Sequence, residues 1–321
     1  MEQSFLQIET LRCRVLALFK KSCWIALAVT IIFSLILIPQ ENSIFSFALA
    51  AIIGIGAGFL AAYLMGFFRA SKEYARQFKA AFVEIPMNHT FSHVFYDGEK
   101  GLNQDLIRHT GIMALGNIYH SNDYVSGSYR DVHFTRADVI IQQHVSTGKT
   151  SYTVTYLNGR WLIFDFNKNF HFDLQIIDKD FIASQKKNSI FTESNERRHR
   201  IKLEDMEFNE LFQVYCQDDH EAYYILTPQF MAVLKELKET LGGALMLGFI
   251  DNQLHVAIHT NKDAMEPKLF EKPDFNRIQQ EVQGEIDVII NIIDSLELDR
   301  DLYCKASRSS QTACASEFRG E

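Results

Sequence analysis

The sequence is poor in the residues that usually announce chemistry. Its five cysteines, Cys13, Cys23, Cys216, Cys304 and Cys314, are odd in number and form no C-x-x-C pair. That excludes a disulfide framework or a zinc knuckle and fits a reducing compartment. There is no nucleophile elbow, phosphate-binding loop or paired-acid motif. Histidines pair only at a spacing of four, His89 with His93 and His255 with His259. On a strand that places them about 13 Å apart, too far to share an ion. No metal and no cofactor is therefore expected, and no catalytic residue stands out. Charge is also missing where it matters: between Ser22 and Phe68 only Glu41 carries a charge at neutral pH.

What is there instead is a pair of apolar runs. Ser22–Ile38 and Ser43–Phe68 are separated only by Pro39-Gln40-Glu41-Asn42. The first run spans about 25 Å as a helix, at the short end for a bilayer; Lys20 and Lys21 can snorkel to extend it, and Trp24 suits headgroup level. The second is comfortably long. Pro39 ends the first helix, and so short a connection requires an antiparallel hairpin. Arg12, Arg14, Lys20 and Lys21 precede the pair and Arg69, Lys72, Arg76 and Lys79 follow it, with no basic residue between. That asymmetry places both termini in the cytoplasm. A signal peptide is disfavoured, because no small-x-small cleavage site follows Ile38 and a second apolar run comes at once.

Gly54, Gly56 and Gly58 lie inside the second run, without a preceding strand or following lysine, and so do not make a phosphate loop. Ala50, Gly54, Gly58 and Ala62 instead step by four and give one smooth helix face for close packing, against the first span or in an oligomer. Flanking stripes continue the helices beyond the bilayer: Phe5, Ile8, Leu11, Arg12, Val15 and Leu18 before it, and Tyr74, Phe78, Phe82 and Ile85 after it. The two stripes are expected to face each other as a stalk that Pro86 stops.

Residues 70–321 hold 27 of the 32 basic and 37 of the 40 acidic side chains, a net charge of −10. A part that acidic repels phosphate backbones, so nucleic acid is not an expected partner. From about Tyr119 the pattern is short apolar or alternating runs between turn residues, an antiparallel meander. Asn158-Gly159 predicts a type I′ hairpin pairing Tyr156 with Trp161 and Val154 with Ile163, with Thr155/Leu162 and Thr153/Phe164 on the opposite face. Both faces carry bulk, so the sheet is covered on both sides or closed. Asp165 is expected on the Trp161 face, bonded to a tyrosine, with Asn167 and a solvated Lys168 just past the strand.

Residues 184–202, rich in Lys186, Lys187, Arg197, Arg198 and Arg200, read as a linker. After it, Phe208–Cys216 and His220–Leu226 read as strands around an acidic turn at Asp218, Asp219 and His220. Thr227 and Pro228 then mark a helix start as cap and first residue, Phe230, Leu234, Leu237 and Leu241 form its buried stripe, and Gly242-Gly243 stop it. Ala244–His259 reads as a hairpin turning at Asp251-Asn252, with Phe249/Leu254, Leu247/Val256 and Leu245/Ile258 stacked. His255 and His259 fall on the other face, opposite Gly248 and Ala244, a less apolar face expected either to be exposed or to leave room for a ligand. From Phe275 to Leu296 a long amphipathic helix closes the core or partners the stalk.

The predicted fold class is α+β: a transmembrane hairpin followed by a cytosolic domain of antiparallel β hairpins with flanking helices. The expected division is 1–86, hairpin and stalk; 87–183, a β-rich subdomain; 184–202, linker; 203–303, an α+β subdomain; and 304–321, a disordered tail. The ordered set of two spans, Asn122–Phe134 (NDYVSGSYRDVHF), NGRWLIFDFNKNF and AYYILTPQFM resembles the bacterial membrane-protein family known as domain of unknown function 3137 (DUF3137). The resemblance implies a bacterial inner-membrane protein with a cytosolic domain. It implies no activity, and no catalytic residue carries over.

Three functions follow as expectations: a membrane-tethered binding or scaffold module; an enzyme whose site gathers distant residues such as Asp165, Lys168, Asp218, Asp219, His220 and Glu221; or a transport accessory. The expected partners are the lipid bilayer and a protein partner or second copy of the chain. The residues expected to matter are Gly54, Gly58 and Ala62 for helix packing, and Asn158, Gly159, Trp161, Asp165, Thr227 and Pro228 as marks of the fold.

Overall fold

A computed structural model describes residues 2–37, 44–148, 150–165, 173–181, 198–261 and 265–299. Pro39, Asn167, Lys168, Lys186, Lys187, Arg197 and residues 304–321 lie outside that description. The chain divides into two compact units, Met1–Pro86 with Ala264–Gln283, and Met87–Asp263 with Gly284–Glu321.

In the first unit, α1 (Glu2–Leu37) and α2 (Ile44–Leu64) are both long and apolar enough to cross a membrane. At 1.5 Å per residue they run about 54 Å and about 32 Å, so α1 exceeds a hydrocarbon core of about 30 Å and α2 matches it. The small-residue face of α2 meets α1. A Cβ on Gly58 would sit 2.6 Å from the Ala26 Cβ, and one on Gly54 would sit 2.9 Å from the Ala26 carbonyl oxygen. Ala50 and Ala62 are buried on the same face, whereas Gly56 has nothing within 4 Å. Glycine there removes the bulk that would hold the two backbones apart.

The second apolar run does not continue as one helix to Phe68. It breaks at Met65-Gly66, where Gly66 takes φ +76°, and restarts as α3 (Phe67–Lys79). Pro86 does not end the helix either. A π-helical turn at Ala80–Glu84 lets the Ile85 N–H reach back to the Ala80 carbonyl, and α4 (Ile85–Thr90) follows. Pro86 is the second residue of that new segment, where no N–H is needed and the widened turn moves carbonyls away from its ring.

The two stalk stripes do face each other. Ile8, Val15, Tyr74, Phe78 and Phe82 form one buried cluster, with Leu269, Phe275 and Ile278 packed on it. Phe275 sits 5.9 Å from Phe5 and 6.0 Å from Phe82. The returning chain is held by polar contacts too, Arg12 Nη1 to the Leu269 carbonyl at 3.2 Å and Lys79 Nζ to Glu266 Oε1 at 2.5 Å. Ile85, placed in the stripe by its spacing, is exposed, because the π turn rotates it off the face.

The second unit is one antiparallel sheet of nine strands in the order β1-β2-β3-β4-β9-β8-β5-β7-β6. They are β1 (Ser92–Asp97), β2 (Ile118–Tyr129), β3 (Val132–Ser146), β4 (Ser151–Asp165), β5 (Leu174–Asp178), β6 (His199–Ile201), β7 (Phe212–Cys216), β8 (Ala244–Ile250) and β9 (Gln253–His259). Short helices α5 (Gln104–Thr110), α6 (Met206–Leu211) and α7 (Asp219–Ile225) punctuate it, with α8 (Pro228–Leu241) and α9 (Phe275–Ser295) longer. One face buries Ala137, Val139, Trp161, Ile163 and Ala257 against Ile107, Ile112 and Met113. On the other, Leu162, Val256 and Leu247 are aligned across three strands, and so are Phe164, Leu254 and Phe249. The sheet is thus apolar on both faces, as the bulk of its residues predicts.

Two sequence expectations fail here. Asn158-Gly159 is not a turn: it lies inside β4, paired with Ile140 and Val139 of β3. The chain turns instead at Thr147–Thr150, where Gly148 has φ +78° and the Thr147 N–H bonds the Thr150 carbonyl. Gly159 is needed for close approach rather than for positive φ. A Cβ there would collide with the Ile258 carbonyl of β9, and the Asn158 carbonyl accepts from Thr260 and Asn261 N–H. So the expected pairs break up, and Trp161 lies between Ala137 and Ala257. Second, His220–Leu226 is not a strand but mostly α7. Asp218 starts it, its side chain accepting the His220 N–H and its carbonyl the Ala222 N–H. Ala222 and Ile225 are buried and Tyr223 and Tyr224 exposed, the period of a helix. The start of the other expected strand, Phe208–Leu211, is likewise helical, in α6.

Other expectations hold. Thr227 Oγ1 accepts the Phe230 N–H, Pro228 opens α8, and Gly242 closes it at φ +61°. Asp251 and Asn252, with φ +48° and +64°, turn β8 into β9 with Leu247 opposite Val256.

Candidate functional site

Asp165 is exposed and bonded to Gln253 Nε2 at 2.9 Å, not to a tyrosine. β4, which carries it, is separated from β7 by β9, β8 and β5. That puts Asp165 about 19 Å or more from Asp219 at ordinary strand spacing. Among the described residues of the enzyme reading, Asp165 does not gather with Asp218, Asp219 and His220.

The face around His255 is not open either. His255 is buried, and its Nδ1 accepts the Trp161 Nε1–H at 3.3 Å. Ile112 fills the space opposite it: a Cβ on Gly248 would meet Ile112 Cδ1 at 2.9 Å. Burial lowers the His255 imidazole to about 4, so the ring is neutral at pH 7. His259 is lowered by burial as well, and its Nδ1 accepts the Asn158 N–H at 3.1 Å. Both rings serve as acceptors that hold β4 to β9.

On the opposite face lies a buried ionic cluster that the sequence did not announce. Arg136 Nη2 bonds Asp138 Oδ1 at 2.8 Å and Glu285 Oε2 at 3.0 Å. Arg160 Nη2 takes the other Glu285 oxygen. All four side chains are 11% exposed or less, so water screens none of them well. Burial pulls the Arg136 guanidinium down, but Asp138, Glu285 and Asp123 together hold it above its ordinary value. Arg160 ends below its own, since burial outweighs Glu285 and Arg136 repels it. Its Nε is buried without an acceptor. Asp123, fully buried at φ +52°, accepts from Tyr96 Oη at 2.5 Å. Arg136, Asp138 and Arg160 share a face through the β3–β4 register, and Glu285 arrives from α9.

A second unannounced group sits at the β6 edge of the sheet. His199 is the register partner of Cys216 across β6 and β7. His199 Nε2 lies 2.5 Å from Asp219 Oδ1, and Cys216 Sγ lies 3.6 Å from the same oxygen. Among the described residues, this is a group of His, Cys and carboxylate whose ligand atoms all fall within 4.8 Å of one another. Burial and the neighbouring Asp219 push the Cys216 thiol up to about 12. The carboxylate, not the histidine, stands between the other two. A thiol kept protonated by burial and by the negative charge of Asp219 is not an activated nucleophile. The local signal was Cys216 three residues before Asp219; His199 could be added only by strand pairing.

The family model for "protein of unknown function (DUF3137)" matches residues 155–298. That segment belongs to DUF3137. The DUF3137 segment runs from within β4 through the end of α9 and supplies the contiguous strands β4-β9-β8-β5-β7-β6. It includes Trp161, Glu285 and the His199, Cys216 and Asp219 group, while the hairpin and β1 to β3 precede it. No curated protein matches the chain. Among solved structures, the crystal structure of the mycobacterial trehalose monomycolate transport factor A, TtfA, aligns over 68% of this chain and 94% of its own, at 10% identity and TM-score 0.33. A likeness that loose carries no argument about fold or function.

Proposed function

We propose that the chain is a bacterial inner-membrane anchor for a cytosolic scaffold domain, without chemistry of its own. The observation that carries this is the apolar exterior of the hairpin. Trp24, Leu35, Ile55, Phe59 and Leu64 are 65–73% exposed. Leaving each in water forgoes about 2 kcal/mol of burial, so these five alone forgo about 10 kcal/mol, comparable to the whole stability of a domain. A bilayer removes that penalty. The basic residues before α1's apolar portion and after α2 favour cytoplasmic termini. The buried rings, the ionic cluster and the filled His255 face favour a rigid body over a catalytic cleft.

Alkaline carbonate washing of membranes should leave the full-length chain in the pellet, and a C-terminal reporter should be active only in the cytosol. Photocrosslinking from exposed Tyr224 or Phe95 in native membranes should give discrete, reproducible adducts. Release by carbonate overturns the anchor; an external reporter overturns the orientation. Absence of any adduct from either position overturns the scaffold reading.

A further inference from the structure

We propose that His199, Cys216 and Asp219 form a binding site for a Zn(II)-class metal ion at the β6 edge of the sheet. Three separate elements converge on it. In an antiparallel pair, residues in register point to the same side of the sheet, so His199 and Cys216 project together. Asp219 opens α7 after the two-residue turn Gln217-Asp218 and brings its carboxylate over both.

The ligand atoms, all within 4.8 Å of one another, come within a small adjustment of a tetrahedral ion. Metal bonds of about 2.3 Å to sulfur and about 2.0 Å to nitrogen and oxygen put ligand atoms about 3.3–3.8 Å apart. Cys216 Sγ and Asp219 Oδ1 are already 3.6 Å apart. His199 Nε2 and Asp219 Oδ1, at 2.5 Å, must open by about 1 Å on loading. Both side chains are half exposed or more, so that adjustment meets no packed neighbour core.

Charge and donor chemistry agree. The metal displaces the thiol proton, which leaves to solvent; Sγ then binds as thiolate. Asp219 contributes one carboxylate oxygen and His199 a neutral Nε2 lone pair, its hydrogen residing on Nδ1. A divalent ion with one thiolate and one carboxylate is neutral, which suits a site whose sulfur is buried. Sulfur with imidazole selects Zn(II), Co(II) and similar ions over Mg(II) or Ca(II). The fourth position is left to water or to a side chain from a partner. The ion would fasten the three-residue edge strand β6 to β7 and α7, and it revises the expectation, drawn from spacing alone, that no metal is held.

The test uses full-length protein in detergent, stripped with a chelator and titrated with Co(II). A single equivalent should produce a thiolate-to-cobalt charge-transfer band that Zn(II) abolishes. Cys216→Ala should remove the band. His199→Ala and Asp219→Asn, at exposed positions, should weaken Co(II) binding by at least about tenfold with unchanged circular dichroism. The proposal is overturned if folded wild-type protein gives no such band, or if the band survives Cys216→Ala, which would assign it to another cysteine. It is equally overturned if His199→Ala and Asp219→Asn bind as tightly as wild type. Should Cys216→Ala fail to fold, those two variants decide the matter.

Discussion

Replacing Glu285 by glutamine isolates the role of the buried ionic cluster. The wild-type group balances two guanidiniums, Arg136 and Arg160, against Asp138 and Glu285, with each Glu285 oxygen engaged by a different arginine. Glutamine keeps the volume and one acceptor but removes the charge both arginines share. Arg160 suffers most: Glu285 is its charged hydrogen-bonding partner, and its guanidinium is already lowered by burial. Breaking a buried pair costs about 3–5 kcal/mol, because the surviving charge stays desolvated. That is a large part of the about 5–15 kcal/mol that holds a domain folded. The assay is urea unfolding followed by Trp161, which is fully buried in the sheet. The chain's other tryptophan, Trp24, is removed by Trp24→Phe. Glu285→Gln should lower the midpoint by the equivalent of about 3 kcal/mol or more, and Glu285→Gln with Arg160→Met should recover part of the loss. A loss below about 1 kcal/mol, or no recovery in the double variant, would refute the claim that these charges depend on one another.

Gly159→Ala should destabilise by about 1–3 kcal/mol in the same assay, since the new methyl meets the Ile258 backbone carbonyl, which cannot swing away; a neutral result would refute that close approach of β4 to β9. Gly58→Ile should lower the thermal stability of the detergent-solubilised hairpin while Gly56→Ile leaves it unchanged, because only the former faces Ala26. His255 should make the fold acid-sensitive. Its folded value, about 4, lies below the ordinary 6.5 of the unfolded chain, so the unfolded state binds more protons between those limits. Its contribution is complete above pH 6.5 and declines as pH falls toward 4, by about 3 kcal/mol in all. Urea midpoints measured from pH 7.5 to 4 should show that slope, flattened in His255→Gln; an unchanged slope would place the acid sensitivity elsewhere.

Several local features could be read directly from the sequence because they depend on nearest neighbours. The uncharged runs around Ile31 and Ile55, the i, i+4 file of Ala50, Gly54, Gly58 and Ala62, and the Thr227-Pro228 start of α8 each follow from helical geometry. The Asp251-Asn252 turn follows from what two left-handed positions demand. Where reading by neighbours failed, backbone geometry or a distant partner was in control. Asn158-Gly159 has the local chemistry of a turn, but β9 pairs along β4 and uses the missing Cβ for backbone contact. Pro86 has the local chemistry of a stop, yet a π turn absorbs it. Arg136 and Arg160 come to one face only through the β3–β4 register, and Glu285 reaches them from a helix, 149 residues beyond Arg136. Likewise only the β6–β7 register brings His199 to Cys216 and Asp219. Periodicity and composition therefore determined the two long apolar helices, the limits of α8 and the two-faced sheet. Which charges meet, and which ligand atoms converge, was decided by the tertiary structure, because those energies depend on separations across space that no spacing along the chain encodes.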